Sequence, residues 1–207
     1  MTSPQRTIEV VPYDPFWEVL FEQESSRIKD VIAEGLVDVH HIGSTSVPGL
    51  SAKPIIDMMP EVLNLDVLDD FNLAMEGLGY IVMGEFGIPG RRFYMKGLID
   101  RTHHVHAFER GSEGLNRHLA VRDFLRDHFD EAAAYADLKM KLAAQFPHDN
   151  DGYCDGKHDF VQQLERRALR WRSQCEQDGG ADQPATAPES KSEGKQKPKS
   201  ESEIRPQ

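Results

Sequence analysis

The sequence is poor in cysteine. Its two cysteines, Cys154 and Cys175, form no Cys-x-x-Cys pair. Neither a disulfide framework nor a cysteine-based zinc site can be built from them, and both read as ordinary thiols. Long apolar runs are missing too. No stretch approaches the ~20 residues that a membrane-spanning helix needs, and the opening MTSPQRTIEV lacks the apolar segment of a secretory signal. These absences point to a cytoplasmic protein without a membrane partner. Positive charge is also short: 24 Lys and Arg against 35 Asp and Glu leave a net charge of −11. That balance argues against nonspecific nucleic-acid binding, which needs a basic face. It leaves room for a small anionic ligand held in a local basic pocket.

Large apolar residues also run out near residue 176. The segment from Glu176 to Gln207 holds seven acids, five bases and one large apolar residue, Ile204. Such a segment cannot bury enough surface to offset its ordering entropy. Residues 1–175 therefore read as one domain and 176–207 as a disordered polar tail.

What is present within residues 1–175 alternates between helical and strand patterning. Asp14-Pro15 suits a helix start, and Phe16, Trp17, Leu20, Phe21, Ile28, Val31 and Ile32 recur at helical spacing. Strands are expected at 37–42, 54–62, 80–83, 92–96 and 102–108. The second is apolar enough to lie centrally in a sheet. Residues 65–76 read as one amphipathic helix closed by Gly77 and Gly79, and three helices are expected at 113–128, 131–145 and 156–173. The order predicts an α+β fold, a mixed β-sheet flanked by helices with a helical C-terminal part.

The chemistry concentrates in HIGSTSVPGLSAKPIID, residues 41–57. The glycine-serine turn is not a P-loop, because five residues separate Gly43 from Gly49 and Leu50 follows. It is not a nucleophile elbow either. Gly43 lets the backbone turn sharply and approach a ligand, while Ser44, Thr45 and Ser46 offer hydroxyl and amide donors suited to phosphate oxygens. The alternative is a plain helix cap. Asp57 ends an apolar stretch, where a carboxylate is costly unless it is hydrogen-bonded, paired or metal-bound. By alternation it shares a face with Met59. The later segment His103-His104-Val105-His106 places His104 and His106 on one face, a pair that could ligate a metal or supply a base near neutral pH.

These segments, together with VPYDPFWEVLFEQE, RTHHVHAF, LAVRDFLRDH, YADLKMKLA and YCDGKHDFV, resemble the GrpB family, also called UPF0157, within the nucleotidyltransferase-fold superfamily. The resemblance covers nearly all of residues 9–172. It implies a nucleotidyltransferase-like fold and transfer of a nucleotidyl group from an NTP to a small-molecule or protein acceptor. It assigns Gly43 and Ser44 to phosphate and Asp57 to a divalent metal, Mg or Mn, with Zn as a further option. The position of the superfamily's second carboxylate is Met59 here, a poor Mg²⁺ ligand, so the acidic triad becomes Asp57 with His104 and His106. Two other readings follow: a catalytically degenerate module that binds a nucleotide or coenzyme A, and a metal-dependent hydrolase built on the Asp/His/His cluster. Glu61, just after Pro60, reads as an exposed strand end, since proline usually ends strand pairing; a bend in the strand would instead let it supply the missing carboxylate.

An NTP or other phosphorylated small molecule needs more positive charge than one metal supplies. Lys53, Arg91, Arg92, Arg101, Arg122, Lys139 and Lys157 are the candidates. Arg92, Arg101 and Arg122 lead, because arginine grips phosphate in a fork and lysine acts as a point charge.

Overall fold

The computed structural model describes residues 7–32 and 34–179. Five strands form one mixed sheet: β1 (Leu36–Ile42), β2 (Ile56–Val62), β3 (Tyr80–Val82), β4 (Arg91–Lys96) and β5 (His103–Glu109). Their spatial order is β1-β2-β5-β4-β3, with β2 and β5 parallel and the other neighbours antiparallel. The α+β class, the mixed sheet and the helical C-terminal part agree with the expectation.

Alternation along β2 separates two cores. Ile56 and Met58 face one side with Val39, Tyr94, Val105 and Ala107, where Trp17, Phe21 and Ile28 of α1 (Phe16–Val31) cover them. Each fully buried side chain of this size contributes roughly 1.5–3 kcal/mol. Asp14 Oδ1 accepts the Phe16 N–H at 2.9 Å, which starts α1 at the expected place. The other face carries Ile42, Met59 and Phe108, against which Leu115 of the helix following β5 packs. Beyond it lie α4 (Glu113–Asp127), α5 (Phe129–Gln145) and α6 (Asn150–Gly179), with a core of their own around Phe124, Leu125 and Leu164.

Several expectations need correction. The single helix at 65–76 is two, α2 (Leu65–Asp69) and α3 (Asn72–Gly77). Asp69 and Asp70 sit at the negative end of α2, where carboxylates oppose the helix dipole, and Asp69 is drawn to Arg92 instead. Pro60 does not end β2. It stays paired with Val39 on β1, while the pairing to β5 skips Met59 and Pro60 and resumes at Glu61, so the missing N–H falls where no ladder bond is made. Glu61 is not exposed: it accepts from Arg110 at 2.7 Å and contacts His40 at 2.9 Å. Helix α6 starts earlier than expected because Asp149 Oδ1 accepts the N–H groups of Asp151 and Gly152 at 3.1 and 3.0 Å and caps it there, and its glycines sit at close contacts. A Cβ at Gly156 would strike Leu142 of α5. The helix also runs through 176–179, so the polar segment begins as helix. Residues 180–207, the rest of the expected tail, lie outside the described residues, as do residues 1–6.

Candidate functional site

The register of three strands builds the site. Asp57 on β2 is the Cα partner of His104 on β5, and His106 is the partner of Phe93 on β4. Cross-strand partners share a face, so Asp57, Phe93, His104 and His106 all point toward the helical layer. His104 Nδ1 lies 3.2 Å and His106 Nε2 3.4 Å from Asp57 Oδ1. Burial opposes ionisation of Asp57, but the hydrogen bonds from His104 and His106 outweigh it and hold the carboxyl well below the usual range.

Gly43 explains how the turn fits against this carboxylate. Its φ is +70°, and a Cβ there would sit 2.5 Å from Asp57 Oδ2. The glycine is required by Asp57 as much as by the turn. The hydroxyls of Thr45 and Ser46 are already engaged, that of Ser46 within the turn and that of Thr45 by segments on either side of it. Ser46 Oγ donates to Gly43 O at 2.6 Å, and Thr45 Oγ1 donates to Ile55 O at 3.4 Å while His41 Nε2 lies 3.1 Å from it. Arg126 locks the outer side by donating to Ser46 O at 2.9 and 2.7 Å. Ser44, by contrast, lines a cleft together with Tyr135 of α5.

A cleft of about 480 Å³ opens between this sheet face and α5 and α6. It is lined by Ser44, Thr45, Asp57, Phe93 and His104, and by five cationic side chains: Lys53, Arg91, Arg101, Lys139 and Lys157. Asp57 is the one carboxylate among the lining residues. A chain of net charge −11 thus concentrates positive charge in one concave place. Lys139 is buried, donates to Ser51 O and lies 4.5 Å over the Tyr135 ring. Burial, reinforced by Lys157, lowers its pKa to about 7. Lys53 lies 4.1 Å and Lys157 5.1 Å from the Tyr153 ring centroid. The Arg101 Nε is buried without a hydrogen-bond partner.

Two of the leading arginines lie elsewhere. Arg92 alternates to the opposite face of β4 and forks onto Asp69, at 2.8 and 2.9 Å. Arg122 bonds Asp123 at 2.7 Å and His41 O at 3.4 Å, tying α4 to β1. It lines a smaller cavity of about 210 Å³ on the far side of Ser44 and Tyr135. The neighbour Arg91 takes the place expected for Arg92. Its Nη1 lies 3.3 Å from His106 Nδ1. Because arginine only donates, His106 Nδ1 accepts and its proton resides on Nε2, facing Asp57.

The tyrosines of the cleft and Phe86, Phe93 and Cys154 escaped the sequence reading. Tyr135/Lys139 and Tyr153/Lys157 repeat a Tyr-x-x-x-Lys spacing, which puts each pair on one helix face. That repeat was the available signal.

The donor set admits a metal. Ligand atoms of Asp57, His104 and His106 lie within 4.8 Å of one another. The two separations from Asp57 Oδ1, 3.2 and 3.4 Å, are close to the roughly 3.3 Å between ligands of a tetrahedral ion with bonds of 2.0–2.1 Å; the edge between the two imidazoles is bounded at 4.8 Å. Oxygen with imidazole suits Zn or Mn better than Mg. Met59, at the expected second carboxylate position, is instead fully buried with Ile42 and Phe108. His104 Nε2 is buried without a partner. Ligation by His106 requires Arg91 to leave its Nδ1, which must then carry a proton.

Residues 7–167 match the family model described as "GrpB protein". The UPF0157 protein YqkA of Bacillus subtilis is 43% identical over 169 residues, which are 82% of this chain and 49% of that protein. A UPF0157 protein of Pseudomonas aeruginosa is 40% identical over 168 residues, 78% of this chain and 68% of the relative. The chain thus spans about half the length of the Bacillus relative. A protein of Mycolicibacterium paratuberculosis named dephospho-CoA kinase is 23% identical over 79% of this chain and 46% of its own length. The crystal structure of GrpB from Enterococcus faecalis superimposes with a TM-score of 0.77 at 41% identity, covering 79% of this chain and 99% of that one. With that match in sequence and in fold, the chain belongs to the GrpB family.

Proposed function

We propose that this chain binds a nucleotide by its polyphosphate in the basic cleft and transfers the nucleotidyl group to an acceptor in a metal-dependent reaction. One observation carries the reading: five cations converge on a cleft whose single carboxylate is flanked by two imidazoles. Arg101 supplies guanidinium donors to phosphate oxygens, Arg91 adds its charge while its N–H groups hold Glu85 O, Phe86 O and His106, and Lys53, Lys139 and Lys157 supply point charge. Asp57, with His104 and His106 beside it, is the place for a divalent cation, which would neutralise phosphoryl charge as the bond changes. The reaction forms an acceptor–phosphorus bond at the α-phosphate and breaks the α–β anhydride, releasing pyrophosphate. Placement and charge neutralisation account for most of the rate in such displacements. The dephospho-CoA kinase relative adds coenzyme A and its precursors to the ligands worth testing.

Two features favour a second reading, hydrolysis of a phosphate ester or anhydride. Met59 removes the second carboxylate, and His104 directs Nδ1 at Asp57 while Nε2 lacks a partner, the arrangement of a carboxylate-oriented general base.

A thermal-shift panel of ATP, GTP, CTP, UTP and coenzyme A, each with Mg²⁺, Mn²⁺, Zn²⁺ or EDTA, tests the binding step. A ligand at ~100 times its Kd stabilises by ~2.7 kcal/mol. For a domain of this size that is roughly 5–10 °C in Tm. A metal-dependent shift lost in Asp57→Ala is the expected result. Absence of any shift sinks the nucleotide reading. Phosphorus NMR of the ligand that binds then separates pyrophosphate release from hydrolysis.

A further inference from the structure

The loop between β3 and β4, GEFGIPG (84–90), presents Phe86 at the cleft in an unusual backbone conformation. Phe86 has φ +44°, the one positive value among the described residues other than glycine. A bulky residue in this region is an outlier, costs of order 1–3 kcal/mol and persists only where its surroundings enforce it. Arg91 enforces it: the guanidinium donates to Glu85 O at 3.2 and 3.1 Å and to Phe86 O at 2.8 Å. Glu85 adds a clamp by accepting the Gly90 N–H at 2.7 Å.

The strain is not used to bury the ring. Phe86 is 59% exposed although it lines the basic cleft. One side stacks on Phe93, with centroids 5.3 Å apart and planes within 20°. Phe93 in turn lies 5.0 Å from His106 and 5.4 Å from His104. Two ring-to-ring steps therefore separate the Asp57 cluster from an open aromatic surface. Arg91 ties both ends together, since it holds the loop carbonyls and also contacts His106. An exposed phenyl ring held beside concentrated cations suits a ligand with an aromatic plane at one end and phosphates at the other. Base–aromatic stacking of this kind tolerates any base.

We propose that Phe86 is a stacking platform for the base of the nucleotide, so that the cleft takes a nucleoside polyphosphate rather than phosphate alone. This inference rests on the anion-binding reading of the cleft and narrows its substrate class.

The test compares ATP with inorganic tripolyphosphate, both with Mn²⁺, by titration calorimetry on the full chain. Wild type is expected to bind ATP more tightly than tripolyphosphate. Phe86→Ala is expected to weaken ATP about tenfold, as loss of one stacked base does, and to leave tripolyphosphate unchanged. Phe86→Trp is expected to keep ATP affinity, with indole emission quenched by ATP and not by tripolyphosphate. Equal losses for both ligands in Phe86→Ala, or unquenched Trp emission with ATP bound, would overturn the stacking role while leaving the phosphate cleft intact. Failure of wild type to bind either ligand would remove both readings together.

Discussion

Replacing Lys139 with methionine should make the protein more stable and a worse anion binder at once. Lys139 is 3% exposed and its pKa falls from the ordinary 10.5 to about 7, chiefly through burial. Each tenfold change in proton affinity is worth about 1.36 kcal/mol. Below pH 7 the charged form therefore costs about 5 kcal/mol relative to an unstrained lysine. Methionine has similar length and removes that cost, but it leaves Ser51 O without its donor, a loss of about 1–3 kcal/mol. The net expectation at pH 6 is stabilisation of roughly 2–4 kcal/mol, or about 4–16 °C in Tm. The pH dependence is diagnostic. Between pH 7 and 10.5 the unfolded chain binds the Lys139 proton and the folded chain does not, so wild-type stability rises with pH. The advantage of Lys139→Met must shrink across that window and reverse near its upper end, where only the lost hydrogen bond is left. Denaturant melts of both proteins at pH 6, 8 and 10 measure it. A variant that is less stable at pH 6, or whose advantage does not change with pH, would refute the picture of a buried charge kept for ligand binding.

Three further outcomes follow from the same geometry. Asp57→Ala should fold and lose metal-dependent ligand binding, measured by metal content after dialysis and by calorimetry; retained metal would make Asp57 a structural group only. Gly43→Ala should cost about 2 kcal/mol or more in chemical denaturation. The backbone there, with φ +70° and ψ −171°, lies in a region that essentially only glycine occupies and contributes about 1–3 kcal/mol, and the new Cβ, 2.5 Å from Asp57 Oδ2, must displace the carboxylate. Arg91→Ala should weaken polyphosphate binding tenfold or more, whereas Arg92→Ala should leave it within twofold, because Arg92 faces Asp69 on the other side of the sheet; equal effects would contradict the assignment by strand register.

The class of fold and the seed of the site follow from properties of the chain that need no tertiary contact. Helical and two-residue periodicities survive folding because each element must bury one stripe or one face. For that reason α1, all five strands and α4 and α5 were legible with small errors at their ends, and α6 was legible as a helix although it extends six residues further at each end. Asp57 and the His104/His106 pair were legible because a carboxylate in an apolar strand and two imidazoles on one strand face demand partners. Tertiary structure decided everything that depends on register and on helix packing. Alternation alone cannot say which face of β4 meets the cleft; pairing with β5 puts Arg91 there and sends Arg92 away. Local pattern suggested free hydroxyls in the turn, but long-range partners such as Ile55 O and His41 consume that of Thr45. The last helix was expected only from residue 156, and packing carries it back to Asn150, with Gly152 and Gly156 at points of close contact with Phe146 and Leu142. Lys139 read as one of several cations that could hold an anion, and only the packing of α5 against the segment around Ser51 buries it. Charge and periodicity are properties of the chain, whereas desolvation and convergence exist only once distant segments meet.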